Sequence, residues 1–546
     1  MKPFWITFYS YKGGVGRSLA LSNIAALLVK NGRRVVLIDF DLEAPGLDSF
    51  DEFSCIVGKP GVVEYTSQFL LTGEAPKIEH FVHHCHLHDA PSGDLWIMPA
   101  GTKNAAYNHE RANINWAEMY DGGVGVPFVE NWKSAIARHC QPDYVLVDSR
   151  TGLTDVGGIC TLHLPDLVVM LFGLNDQNIK GIAAVARSVR ESNAGKIPQI
   201  HYVASPVPNM PAEKKDLVSE RLETAKKEIG VAIESLIRYS SSASLHERLF
   251  SLDDKIPRST LVTDYQNLLD KIIDYNRNGI DLITKEVESA ISSSDTDKMQ
   301  RLLSVINVNF TERAEGFYLL SRLNLALNDR PAAVQTAEKA LSIDPSHGKA
   351  FRWLLKHYQA ECQYAKALDL CDAALASRKR LSGEQIFDIQ LEKGTVAMTA
   401  SAPDLALTAY QLALETQQKF KLNTWLLALY FNLAESHRRA SKKTDIDLWN
   451  KVIALFEQEG ETSNLPPPIR TNCLQAMHIA FAVTGDIDRS KQTLLKASDS
   501  AKLLGSIDEV FSVKYFSFQP VSLFLQQNHE MLEALTRGEL WDGMKL

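Results

Sequence analysis

One stretch, Tyr11-Lys12-Gly13-Gly14-Val15-Gly16-Arg17-Ser18, gathers residue types that suit the binding of an anion. Glycines let backbone N–H groups turn inward on a phosphate, Lys12 and Arg17 bring positive charge, and the Ser18 hydroxyl can ligate Mg2+. Two acidic segments follow in order. Val35-Val36-Leu37-Ile38-Asp39-Phe40-Asp41 is an apolar run ending in two carboxylates. Tyr144-Val145-Leu146-Val147-Asp148 is a second such run, with Ser149-Arg150-Thr151-Gly152 as a turn behind it. Acids at the C-terminal ends of parallel strands sit where open α/β sheets bind ligands. Taken singly, each motif has a plain reading: a glycine turn without ligand, or acids capping the Glu43-Ala44-Pro45-Gly46 turn. All three in this order point to nucleotide chemistry.

These residues need a scaffold. Phe4 to Tyr9 is β-branched and aromatic, as in a buried strand. From Leu19 to Asn31, Leu21, Ile24, Ala25 and Leu28 fall at helical spacing, and Gly32 can supply the left-handed residue that ends the helix. Strands at Leu167 to Phe172 and Ile200 to Ala204 flank a helix from Ile179 to Glu191. Alternating strands and helices predict an α/β doubly wound parallel sheet.

The ordinary phosphate-loop pattern G-x-x-x-x-G-K-[ST] is not matched, since Tyr11 takes the place of its first Gly and Arg17 that of its Lys. The stretch resembles instead the deviant Walker A motif, K-G-G-x-G-K-[ST], of ParA/MinD-like ATPases, in the variant group that carries KGGVGR. The resemblance implies that Lys12, Gly13, Gly14, Val15, Gly16, Arg17, Ser18 and Leu19 bind ATP. It places Ser18, Asp39 and Asp148 around Mg2+, with Asp148 as the Walker B acid. Lys12, Asp41 and Asp148 would be catalytic: Asp41 orients the attacking water, and Lys12 reaches across a nucleotide-dependent homodimer to the partner's nucleotide. Relatives often read adenine with an Asn just after the later strand. Here Ala204-Ser205-Pro206 stands there, and the nearest Asn is Asn209.

The chain of 546 residues is too long for one core, and its net charge of −8 argues against a protein whose main work is coating nucleic acid. No apolar run approaches a membrane span and the N-terminus enters a strand directly, so a cytoplasmic protein without membrane contact is expected. Seven cysteines (Cys55, Cys85, Cys140, Cys160, Cys362, Cys371, Cys473) form no C-x-x-C pair and read as reduced, mostly core thiols. His83-His84-Cys85-His86-Leu87-His88 invites a metal reading by alternation, but no second cluster completes a tetrahedral site, so a solvent-facing or inter-segment strand is the preferred reading. Lys180, Arg187 and Arg190 could touch a phosphate backbone; a solvated charged face is preferred. Asn104 to Asn131 resembles an insertion more than a core element.

From about Asp281 the apolar pattern stays helical. Phe317, Leu320, Ala333, Ala337, Ala340 and Pro345 are followed 34 residues later by Phe351, Leu354, Ala367, Cys371, Ala374 and Lys379. Period and small-residue positions resemble tetratricopeptide (TPR) repeats. Further units can be laid over Gly394, Ala406, Tyr410 and Ala413, and over Gly485, Leu494 and Ala497. Trp425 to Phe456 has the length of a helix pair, and Pro466-Pro467-Pro468 is expected to break the array into two blocks.

The expected architecture is therefore a ParA/MinD-like P-loop ATPase domain over 1–280 and an all-α TPR-like helical solenoid over 290–546. The expected function is an ATP-binding, slowly hydrolysing dimerisation switch whose solenoid binds a partner protein. Such variants resemble parts of bacterial anti-phage defence systems. Two rival readings are a non-hydrolysing nucleotide-bound scaffold, favoured by Arg17, and a DNA-partition or positioning ATPase. The tail Arg537-Gly538-Glu539-Leu540-Trp541-Asp542-Gly543 offers no amphipathic membrane helix for the latter.

Overall fold

The computed structural model describes residues 2–87, 93–152, 155–192, 197–209, 215–243, 245–252, 260–377, 381–422, 426–459, 465–504, 509–512 and 517–538. The chain divides into two compact units: Met1–Glu312 with Arg322–Arg330, and Arg313–Ser321 with Pro331–Leu546.

The first unit is built on an eight-stranded sheet. Its strands are β1 (Phe4–Ser10), β2 (Arg34–Asp39), β3 (His83–Cys85), β4 (Asp94–Met98), β5 (Tyr144–Asp148), β6 (Leu167–Phe172), β7 (Gln199–Val207) and β8 (Ser235–Arg238). They lie in the order β3-β4-β2-β5-β1-β6-β7-β8, parallel except for the β3–β4 pair. The apolar runs read from the sequence are the central strands, buried on both faces. The histidine tract read as a strand is β3; β4 and β8, which lie toward the edges of the sheet, escaped.

Alternation along the strands divides the core. Ile6, Phe8, Val35, Leu37, Leu146, Val169 and Leu171 face α1 (Arg17–Lys30) and a later helix, Thr260–Tyr275. On the opposite face, Trp5, Val36, Ile38, Val145 and Val147 meet α2 (Val62–Thr72), α3 (Tyr107–Ala112), α4 (Trp116–Asp121) and α5 (Gly125–Cys140). Val168, Met170 and Phe172 pack under the helices Asp176–Arg190 and Lys215–Ile229. As expected, Gly32 follows α1 with φ +78°.

Three expectations are corrected here. The segment 104–131 belongs to the core: Tyr107, Ile114, Trp116, Met119, Phe128 and Val129 are buried together with Phe40, Tyr65 and Trp132. Its glycines and polar residues masked an apolar stripe, Phe128, Val129, Trp132, Ile136 and Cys140, at helical spacing. Cys55 and Cys85, read as thiols, are joined as a disulfide with their Cα atoms 5.9 Å apart. They are 30 residues apart in the chain, and the sheet rather than any local motif brings them together. The prolines at 466–468 do not divide the helical array. Pro467 and Pro468 open a helix (Pro467–Thr484), where a missing N–H is tolerated, and one apolar core runs from Phe387 through Trp449 and Met477 to Leu535.

The histidine tract forms the edge strand β3, with the His84 ring against Trp96 and His86 and its Nε2 3.2 Å from Asp94. His88 lies outside the described residues.

Among the described residues the second unit is helical apart from one antiparallel hairpin, Glu509–Ser512 with Ser517–Pro520. Helices Ala314–Ala326 and Arg330–Ile343 are followed 34 residues on by Gly348–Ala360 and Tyr364–Ala376. The periodic positions Leu320, Ala333, Ala337, Ala340, Leu354, Ala367, Cys371 and Ala374 are buried, because small residues let paired helices approach closely. The same logic operates in the next pair, Gly383–Thr399 and Pro403–Phe420, where any side chain on Gly394 would strike the Tyr410 ring. Among the described residues no helix is long and apolar enough to cross a membrane.

Candidate functional site

Sheet order decides what meets at the C-terminal edge. With β5 inserted between β2 and β1, the end of β2 (Asp39), the end of β5 (Asp148) and the loop leaving β1 come together. Asp39 and Asp148 are register partners, and the Phe40 N–H donates to the Asp148 carbonyl at 2.9 Å.

The loop itself is shaped by two glycines in the left-handed region, Gly14 (φ +78°) and Gly16 (φ +75°). A Cβ on Gly13 or Gly14 would meet no atom within 4 Å, so this arc of backbone faces open space. Gly16 caps α1 without any side-chain hydrogen bond, which leaves the first-turn N–H groups directed toward that space. Lys12, Ser18 and Leu19 are half-buried and Val15 is buried.

Arg17 is 8% exposed and lays its guanidinium on two of the acids. Its Nε donates to Asp148 Oδ1 at 2.5 Å and its Nη2 to Asp41 Oδ2 at 2.7 Å. Asp39 accepts the backbone N–H groups of Asp41 (3.2 Å) and Leu47 (3.3 Å). Burial, and next the neighbouring Asp148 charge, raise the Asp39 carboxyl above the usual carboxylate range. Burial also raises Asp148, against the downward pull of the Arg17 charge and of hydrogen bonds from Ser18 and Arg17.

These residues fit a phosphate and a hard divalent cation. Asp148 Oδ2 and Arg17 Nη1 are buried without a hydrogen-bond partner among the described residues, one an acceptor that suits a metal and the other a donor that suits a phosphate oxygen. No group of three or more His, Cys, Asp or Glu among the described residues is gathered to hold a metal alone. Mg2+ commonly binds through one or two carboxylates, with waters and substrate phosphates completing its shell.

Three supports were invisible in the sequence. Ser205 donates its hydroxyl to the Val15 carbonyl at 2.8 Å, from the place where relatives often carry a base-reading Asn. Asn209 instead donates to the Tyr239 carbonyl. Gly181 lies under the Tyr11 ring, which explains how an aromatic residue fits at the start of the loop. Glu43 bridges Arg150, at 2.6 Å, and Arg111, at 3.1 Å, joining the segments that follow Asp41 and Asp148. The signal for the last of these was one charged residue two positions behind each acid, Glu43 after Asp41 and Arg150 after Asp148, which spacing alone does not pair. Lys180, Arg187 and Arg190 are all exposed, and Arg190 also donates to the Tyr202 hydroxyl and the Ile229 carbonyl.

Residues 6–248 match the family model described as the CobQ/CobB/MinD/ParA nucleotide binding domain. This segment is a MinD/ParA-type nucleotide-binding domain. No curated protein matches the chain. Among solved structures, MinD cell division protein from Aquifex aeolicus is similar at 17% identity, covering 50% of this chain and 97% of its own, with a TM-score of 0.35. A ParA family ATPase from Chlorobium tepidum TLS gives 18% identity, 49% and 99% coverage and 0.35. A plasmid partition protein from Borrelia burgdorferi B31 bound to AMPPNP gives 17%, 50%, 99% and 0.36.

Proposed function

We propose that the protein is a nucleotide switch that binds Mg-ATP on the Lys12–Leu19 loop, dimerises when loaded and hydrolyses ATP slowly. The observation that carries this reading is the meeting of Asp41 and Asp148 on Arg17, one residue from Ser18 and beside an arc of glycine backbone that faces open space. Backbone N–H groups and the α1 N-terminus would hold the phosphates, Ser18 and Asp148 would hold Mg2+ with Asp39 nearby, and Asp41 would orient the water. Bound there, Mg2+ would offset charge developing on the phosphoryl oxygens. Lys12 would act in trans as an electrostatic stabiliser. The second unit, with its 34-residue helical period, would form a TPR-like surface for a partner protein; a cytoplasmic anti-phage system is the setting that the variant motif suggests.

A second reading, a non-hydrolysing scaffold, is favoured by the same Arg17 grip, which occupies both acids that chemistry needs. Turnover and light scattering with Mg-ATP separate the two. The switch predicts a nucleotide-dependent doubling of mass and release of phosphate that Asp41→Ala abolishes; a loaded protein that releases none supports the scaffold. In the same assay Lys12→Ala should bind nucleotide yet lose both dimer and turnover.

A further inference from the structure

The loop position that is a lysine in the resembled motif holds, in this chain, a guanidinium with three distinct nitrogen atoms, and two of them are spoken for. Nε and Nη2 share one edge of the plane and reach different carboxylates, Asp148 and Asp41. Nη1, on the far side, is buried without a partner among the described residues. A lysine ammonium is a compact point charge on a flexible stem and cannot hold this planar three-way arrangement. Arg17 remains charged at any working pH, and its charge is buried beside the glycine loop, where screening by solvent is weak.

Resting on the nucleotide-binding reading above, we propose that Arg17 is a built-in counter-cation that lets the loop hold a nucleoside di- or triphosphate without Mg2+. Two carboxylates so close to a phosphate site would repel an incoming polyanion unless a cation stood between them. Phosphate sites take that cation from a bound metal, from a Lys or Arg side chain, or from both. Here the protein carries it covalently, with Nε and Nη2 offsetting one of the two carboxylate charges and Nη1 left to donate to a phosphate oxygen. Arg17 is thus a positioning residue for Asp41 and Asp148 and a direct ligand of the nucleotide. Mg2+ adds affinity through Asp148 Oδ2 and Ser18 but is not a condition of binding.

The test is the affinity of full-length protein for a fluorescent ADP analogue, measured in excess Mg2+ and again in EDTA, for wild type and Arg17→Lys. The wild type should bind in both media with affinities within about tenfold, whereas Arg17→Lys, whatever its affinity in Mg2+, should bind about a hundredfold or more weaker in EDTA than in Mg2+. A wild type that loses a hundredfold or more in EDTA, or equal Mg2+ dependence in both proteins, overturns the role given to Arg17 while leaving nucleotide binding intact. A wild type that binds in neither medium overturns the nucleotide reading and this inference with it. The wild-type ratio alone decides the matter if Arg17→Lys does not fold.

Discussion

The ring of Tyr11 rests on the bare backbone of Gly181, so closely that any side chain at 181 would collide with it. Gly181 sits inside the helix Asp176–Arg190, where glycine costs about 1 kcal/mol relative to alanine, and this contact accounts for its presence. Gly181→Ala should therefore displace Tyr11, disturb the loop that follows it and destabilise the domain by about 1–3 kcal/mol. Tyr11→Ala should make the same substitution nearly harmless. A double-mutant cycle on thermal stability and nucleotide affinity checks the coupling, and strictly additive effects would deny it.

Ser205 offers a gentler probe of the same loop. Its hydroxyl is the donor shown for the Val15 carbonyl, and both residues are buried. Ser205→Ala should cost about 1 kcal/mol in stability and weaken nucleotide binding severalfold by loosening the loop. Calorimetric titration alongside urea unfolding will show whether binding falls more than stability explains.

The legible parts of the molecule were those in which neighbours in sequence are also neighbours in structure. The strands β1, β2, β5, β6 and β7 announced themselves as continuous apolar runs because helices cover both of their faces, and the glycine loop and its acids announced themselves by order. The edge strand β3 was legible through the alternation of its histidine tract, whereas β4 and the four-residue β8 were not, since so few residues give no reliable period. Gly181 and Ser205 could not be linked to Tyr11 and Val15, because nothing local marks a contact across some 170–190 residues of chain. The engagement of Arg17 with Asp41 and Asp148 belongs to the same class: the residues were each in view, but their convergence depends on β5 threading between β1 and β2.

Acid sensitivity should arise at His201, far from the loop in sequence. It is buried, with Nε2 2.7 Å from the Ser235 hydroxyl and Nδ1 3.3 Å from that of Tyr275, and burial pushes its pKa down to about 4. The unfolded chain takes up a proton near 6.5 while the folded one resists until about 4. The full benefit of the neutral imidazole is thus present above about 6.5 and lost as pH falls toward 4, a change of about 3 kcal/mol. In urea unfolding across pH 7 to 4, His201→Gln should show a shallower loss than wild type. Parallel curves would mean that His201 titrates normally in the fold.

A buried triad ties the helix Ile280–Ser292 to the sheet. Asp281 accepts from Arg33 Nε at 2.8 Å and from the Tyr144 hydroxyl at 2.7 Å. Asp281→Ala should destabilise the first unit by about 3–5 kcal/mol, because it strips a counter-charge from a buried guanidinium and an acceptor from a buried phenol. Denaturant unfolding measures the loss; a change under 1 kcal/mol would show that the triad does not hold this helix.

The central claim, that a nucleotide is bound on the glycine loop, is tested most directly by calorimetric titration of Mg-ATP into wild type and Gly14→Val, with thermal unfolding of both as the control for folding. At φ +78°, facing open space, position 14 can lodge valine only with strain and with its side chain in the path of the phosphates. Saturable binding by the wild type, weakened more than tenfold or about 1.4 kcal/mol in a folded Gly14→Val, is the predicted result. Equal affinities in two folded proteins, or no binding by the wild type, would contradict it.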